Sequence, residues 1–177
     1  MAVLKIHEYG DPVLRLKARD VDELTDEDRR LIEDMAETMF DEPGVGLAAP
    51  QVGVSRRIIV VDERPGSDQK KAIALINPRI VEASNDSVVI EEGCLSIPDF
   101  RGDVRRPRMV VVRATNLDGE EMEFSGSEMH SRIFQHEIDH LDGILFVDRL
   151  SPLKRDIAKR KLRKRLRNGE FSSSLAE

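Results

Sequence analysis

Gln135-His136-Glu137-Ile138-Asp139-His140 sets two histidines four positions apart with a glutamate between them. On a helix, both imidazoles leave one face about a turn apart, where a single metal ion can meet them. Glu137 stands beside His136, in position to act as base toward water activated by the ion. The chain has one cysteine, Cys94, in the upstream stretch Glu91-Glu92-Gly93-Cys94-Leu95-Ser96-Ile97-Pro98, and it is the expected third ligand. Gly93 and Pro98 mark a bend outside a strand that can present sulfur to a neighbouring helix. Two imidazoles, one thiolate and an open fourth position describe a catalytic metal, not a structural one.

The flanks of this stretch support a helix. Ser125, Gly126 and Ser127 open it, Gly143 sits where a C-cap glycine belongs, and Met129, Ile133, Phe134, Ile138 and Leu141 supply a buried face. Earlier, Thr25-Asp26-Glu27-Asp28 reads as a capping box ahead of Leu31, Ile32, Met35 and Met39, which predicts a helix over 26–41 stopped by Pro43-Gly44. Strands are predicted at 57–62, 72–81, 87–91 and 109–115. Asn116-Leu117-Asp118-Gly119 turns the last of these into a return strand over 121–124. After Ser151-Pro152 comes a helix with Leu153, Ile157, Leu162 and Leu166 as a thin apolar stripe, and Phe171 to Ser174 reads as a frayed end. The fold class expected is α+β: antiparallel β-sheets packed around a central metal-binding HExxH helix, with N-terminal and C-terminal helices. Residues 1–152 are read as the catalytic metallohydrolase domain, and 153–177 as a basic helix and tail of the same domain or an appendage to it.

With 177 residues, 40% hydrophobic and 35% charged, the chain can bury a core of its own. No apolar run has the length of a membrane span, and the N-terminal residues lack the pattern of a signal or transit peptide. One cysteine cannot form an internal disulfide, so a reducing cytoplasm fits best. Charge is uneven. Residues 154–167 hold nine Lys/Arg against one acid, a local +8, so the remainder carries −14 of the total −6. A polyanionic partner for the tail follows from that asymmetry.

Gly44-Val45-Gly46-Leu47-Ala48-Ala49-Pro50-Gln51-Val52-Gly53 is loop chemistry. It lacks the Gly-Lys-Ser/Thr ending of a phosphate loop, and Gln51 offers a side-chain amide that can serve as an oxyanion donor. Together, Gly44-Val45-Gly46-Leu47-Ala48-Ala49-Pro50-Gln51, Glu92-Gly93-Cys94-Leu95-Ser96 and the HExxH stretch resemble the three motifs of the peptide deformylase family in kind, order and approximate spacing. The likeness runs through nearly the whole chain, and only the residues after about Leu153 have no motif to match.

The resemblance implies hydrolytic removal of the formyl group from N-formylmethionine at the start of new polypeptides, releasing formate. It implies Cys94, His136 and His140 as metal ligands, Glu137 as general base and then acid, and Gln51 with the Leu95 backbone N–H as oxyanion donors. Val45, Gly46, Ile90, Ile133 and Leu95 are the candidates for the methionine pocket, with Glu92 and Arg101 nearby. One divalent ion per chain is implied, natively Fe²⁺, with Ni²⁺, Co²⁺ or Zn²⁺ able to substitute. Nascent formylated peptides are the expected partners of a monomer, and the basic C-terminal segment is an expected contact for the ribosome. Two other readings compete. A metallopeptidase would need a later third ligand, for which Asp148 is the candidate. A zinc-stabilised RNA-binding module would need four protein ligands.

Overall fold

The structure is a computed structural model that describes residues 2–172. Helix α1 (Asp26–Asp41) begins where predicted, because Asp28 N–H donates to the Thr25 hydroxyl and Thr25 N–H donates to the Asp28 carboxylate. Its inward residues Ile32, Met35 and Met39 pack on Leu47, Ile58 and Val60. The strands follow as β1 (Gly46–Ala48), β2 (Ile58–Asp62), β3 (Ala72–Ala83), β4 (Ser87–Cys94), β5 (Ile97–Pro107), β6 (Val110–Thr115) and β7 (Glu121–Phe124). Helices α2 (Glu128–Leu141) and α3 (Pro152–Arg167) complete the order. One sheet runs β1-β2-β3-β6-β7, antiparallel throughout, and β4-β5 form a separate antiparallel pair. The α+β class is as expected.

Helix α2 lies between the two sheets. Ile133, Phe134, Ile138 and Leu141 press on Ala48, Ile59, Val61, Leu75 and Val112 of the five-stranded sheet. Met129, expected in that face, is 53% exposed, since it sits in the first turn, ahead of the packed region. The helix ends as Gly143 predicts. Gly143 has φ +72, its N–H reaches the His140 carbonyl and the Ile144 N–H reaches the Asp139 carbonyl, which together make a Schellman stop.

Three expectations change. The glycine-rich segment is not all loop: β1 and a 3-10 turn at Ala49–Val52 lie within it, and a three-residue strand carries no alternation to read. Cys94 does not lie outside a strand; it closes β4, and Leu95-Ser96 is the tip that returns the chain to Ile97. Strand β5 was not foreseen, because Pro98, Gly102, Pro107 and a run of charges interrupt its pattern.

The C-terminal stripe also differs. Ala158 and Leu162 are buried with Leu14, Ile97, Val104 and Phe146, and Leu166 packs against them. Leu153 and Ile157 are 71% and 51% exposed. Leu153 is nine residues from Leu162, which makes two and a half turns, so the two sit on opposite sides of one cylinder. Phe171, expected to fray, is buried in the same cluster; the expectation for 173 and 174 lies outside the described residues. Among the described residues, no helix is long and apolar enough to cross a membrane.

Candidate metal centre

The tip of β4 meets the polar face of α2. Cys94 Sγ lies 3.4 Å from His140 Nε2, and one ligand atom each from Cys94, His136 and His140 fall within 4.8 Å of one another. A tetrahedral ion with M–S near 2.3 Å and M–N near 2.1 Å would set an S···N edge of roughly 3.6 Å. The cluster therefore has the donor chemistry and spacing of a three-ligand site with a fourth position left over. Among the described residues it is also the one such group of His, Cys, Asp and Glu. Asp148 plays no part: Arg15 holds it at 2.5 Å and the Leu145 N–H donates to it. That removes the alternative ligand on which a metallopeptidase reading depended.

Protonation shows what charge the cluster wants. Burial alone would lower the His136 pKa, but hydrogen bonds to Cys94 and Glu92 outweigh it and hold the ring well above its ordinary value. His140 is driven well below, by burial first and by the neighbouring His136 charge second. The two rings are thus pushed in opposite directions, His136 toward its protonated form and His140 toward its neutral one. A divalent ion would take the place of that proton. Glu137 is buried, its Oε2 has no hydrogen-bond partner, and burial lifts its pKa to about 7.

The glycine segment supplies the opposite wall. A Cβ on Gly46 would stand 2.6 Å from Glu137 Oε1, so this position must lack a side chain for β1 to approach the carboxylate. One turn later the Gln51 amide is fixed from both ends. Its Oε1 accepts from Ala48 N–H at 2.9 Å, and its Nε2 donates to Ser96 Oγ at 3.1 Å and faces Cys94 Sγ at 3.6 Å. Leu95 is partly buried and packs over Gly44.

The other expected pocket residues divide. Val45 and Ile90 are 41% and 36% exposed, while Ile133 is 4% exposed and belongs to the core under the helix. Glu92 is buried behind His136, its Oε2 3.8 Å from His136 Nδ1. Arg106 clasps both of its oxygens, at 2.8 and 3.1 Å. Burial opposes ionisation there, yet the His136 and Arg106 hydrogen bonds prevail and hold the Glu92 pKa at about 2. The Arg101 head is solvent-facing and paired with Glu91 at 2.9 Å.

Sequence reasoning missed the charges that seat the helix. Arg106 also donates to Asp139 at 2.8 Å, and Arg149 grips both Asp139 oxygens at 2.7 Å. Arg132 donates to the Val104 and Val88 carbonyls, one on each strand of the β4-β5 pair. Asp139 is thus buried between Arg106 and Arg149, while Glu92 stands beside the His136 ring. Five charged residues on one interface left no periodic signal; only the oddity of Arg132 and Asp139 flanking the histidines hinted at it.

Comparison with known proteins gives the same picture. The sequence model of the polypeptide deformylase family matches residues 3–156. A peptide deformylase from Acidobacterium capsulatum is 49% identical over 171 residues, 97% of this chain and 100% of that one. The crystal structure of a peptide deformylase from Legionella pneumophila superposes with a TM-score of 0.84 at 44% identity, covering 96% of this chain and 98% of the other. A Met-Ala-Ser-bound class I type b peptide deformylase from Acinetobacter baumannii gives 0.79 at 41% identity, over 84% and 99%. Motifs, fold and relatives agree: this chain belongs to the peptide deformylase family.

Proposed function

We propose that Cys94, His136 and His140 hold one divalent ion. With it the chain carries out its family's reaction, hydrolytic removal of the formyl group from N-formylmethionine on newly made polypeptides. The observation that supports this best is the meeting of those three ligand atoms within 4.8 Å beside a buried Glu137 oxygen that has no partner. A bound ion supplies a Lewis acid and brings the pKa of a water down to roughly 7. Glu137, itself near neutrality, takes the proton as water adds to the formyl carbon. It returns the proton to the methionine nitrogen as the C–N bond breaks and formate leaves. The Gln51 amide, fixed by Ala48 and Ser96, faces the developing oxyanion together with the Leu95 N–H.

Val45, Gly46, Ile90, Ile133 and Leu95 are proposed around the methionine side chain, with Glu92 and Arg101 nearby. Strand β1 is the edge of its sheet, so a substrate in extended form can pair along it and leave the later residues mostly unread. The Met-Ala-Ser bound to the Acinetobacter relative supports that class of ligand here. We take the native ion to be Fe²⁺, with Ni²⁺, Co²⁺ and Zn²⁺ able to replace it. Protein purified in air should then be less active than protein reconstituted with Ni²⁺, and equal activities would count against iron.

We place the protein in the cytoplasm as a monomer, with 1–152 as the catalytic domain and 153–177 as its basic C-terminal helix and tail. The exposed Leu153 and Ile157 amid the basic residues of α3 support a contact with the ribosome. Because Ala158 and Leu162 are core residues, truncation would open the interior, so Leu153→Ser with Ile157→Ser in the full chain is the better variant. Salt-dependent co-sedimentation with ribosomes should weaken, and unchanged profiles dismiss the contact. The activity itself is tested by formate release from formyl-Met-Ala-Ser with Ni²⁺-loaded protein. Glu137→Gln should keep its metal and release none; a loaded wild-type chain that releases no formate overturns the reading.

A further inference from the structure

The N-terminal segment touches both elements that carry the oxyanion donors. His7 N–H donates to the Gln51 carbonyl at 2.7 Å, and Tyr9 N–H donates to the Ser96 carbonyl at 2.8 Å. Those two acceptors belong to separate parts of the chain, the 3-10 turn after β1 and the tip between β4 and β5. They otherwise meet through the Gln51 side chain on Ser96 and Cys94. The segment is itself pinned. The His7 ring bonds Asp11 at 2.6 Å and lies so close to Gly53 that a Cβ there would come within 2.7 Å of it.

The far end of the chain closes over this segment. Phe171 is buried against Tyr9, ring centroids 5.7 Å apart, and Arg165 stands 4.6 Å above the Phe171 ring. Ser172 donates from its N–H and its hydroxyl to the same Glu8 oxygen, at 2.6 and 3.0 Å. Arg165 further donates to the Pro98 carbonyl at 2.9 Å, just beyond the hairpin tip. Gly10, at φ +99, packs on Leu166 so closely that any side chain would collide with it.

We infer that His7–Tyr9 is a strap that sets the distance between Gln51 and the Cys94-Leu95-Ser96 tip, and that Phe171 and Ser172 are positioning residues acting through it. The strap's N–H groups at 7 and 9 bond the two site-bearing elements, while the Glu8 side chain bonds the C-terminal segment. Among the described residues, neither Phe171 nor Ser172 makes a hydrogen bond to a ligand or a donor. Their effect reaches the reaction through the relative placement of Gln51 and of the tip that carries Cys94 and Leu95, so turnover is read per bound metal. This rests on the reading of Gln51 as an oxyanion donor.

The test compares Phe171→Ala, Phe171→Leu and Glu8→Ala with wild type, all full-length and Ni²⁺-loaded. Amide hydrogen exchange of the segments spanning 5–11, 47–53 and 93–97 is the first readout. In Phe171→Ala these should exchange at least about tenfold faster while the five-stranded sheet does not change. The second readout is formyl-Met-Ala-Ser turnover per bound metal. We expect kcat to fall roughly 10- to 100-fold, as for a displaced catalytic group, with KM little altered. Phe171→Leu should restore most of it. Glu8→Ala, which removes only the Ser172 acceptor, should give a smaller loss of the same kind and keeps the question answerable if Phe171→Ala does not fold. Unchanged exchange in all three segments, or a kcat per metal equal to wild type despite faster exchange, overturns the strap. An inactive wild type with the exchange pattern intact would instead overturn the proposed activity and leave the strap standing as a structural element.

Discussion

Helix α2 is gripped on two sides by different forces. Toward the five-stranded sheet it presents Ile133, Phe134, Ile138 and Leu141 to aliphatic side chains, a contact that is non-directional and tolerant of small shifts. Toward the β4-β5 pair it presents Arg132, His136 and Asp139, met by Glu92, Arg106, Arg149 and backbone carbonyls. Such contacts work only at fixed distances and angles. The apolar side holds the helix in the molecule; the charged side fixes its rotation and height, and with them the two imidazoles. Stability and precision are thus assigned to opposite faces of one element.

The largest effect should come from breaking the charged face at its centre. Arg106→Met leaves the Glu92 and Asp139 carboxylates buried without their shared partner, at a cost of about 3–5 kcal/mol. Releasing Glu92 also frees the His136 ring, so the affinity for Ni²⁺ should drop roughly 10- to 100-fold. Chemical unfolding and competitive chelator titration read the two separately, and metal affinity equal to wild type would show that the charges do not orient the ring. Phe134→Ala is the counterpart on the other face. It should cost about 3–5 kcal/mol by opening a cavity while metal affinity in the folded fraction stays near wild type.

Acid should attack the charged face first. The Glu92 carboxyl titrates at about 2 in the folded chain against an ordinary value of 4.5. The unfolded state therefore binds the proton first as pH falls. The stabilisation is complete above 4.5 and drains away as pH drops through about 2, amounting to about 3 kcal/mol. Glu92→Gln should flatten that part of the stability–pH curve, and an acid limb of unaltered steepness would contradict the assignment. The smallest change expected is at Met129, on α2 but outside both faces. Met129→Ser should move stability by no more than about 0.5 kcal/mol, and a larger loss would mean that the first turn is packed after all.

What could be read from the residues alone follows the same division. The apolar face was legible because Ile133, Phe134, Ile138 and Leu141 repeat at helical spacing, and the stop at Gly143 because a left-handed residue needs glycine. The HExxH stretch and Cys94 declared themselves by donor type. The charged face was not legible: sheets around the helix were expected, but polar residues on a helix ordinarily mean solvent, and nothing in sequence told which of them the β4-β5 pair covers. Strand β5, which brings Arg106, hid behind Pro98, Gly102 and Pro107. The burial of Glu92 was hidden for a related reason: in sequence it adjoins the ligand tip, but it is in the interior, between Arg106 and His136. The C-terminal stripe failed on arithmetic, because Leu153 and Leu162 share a helix but not a side.

The two-sided seat of α2 also governs how the metal helix could be moved between proteins. Its apolar half would settle on many aliphatic sheets. Its other half, transplanted alone, would bring Asp139 indoors without Arg106 or Arg149 and leave Arg132 facing no carbonyl. Any graft of this centre into a new scaffold must therefore carry the β4-β5 hairpin and the Phe146–Arg149 turn along with the helix, as one indivisible part.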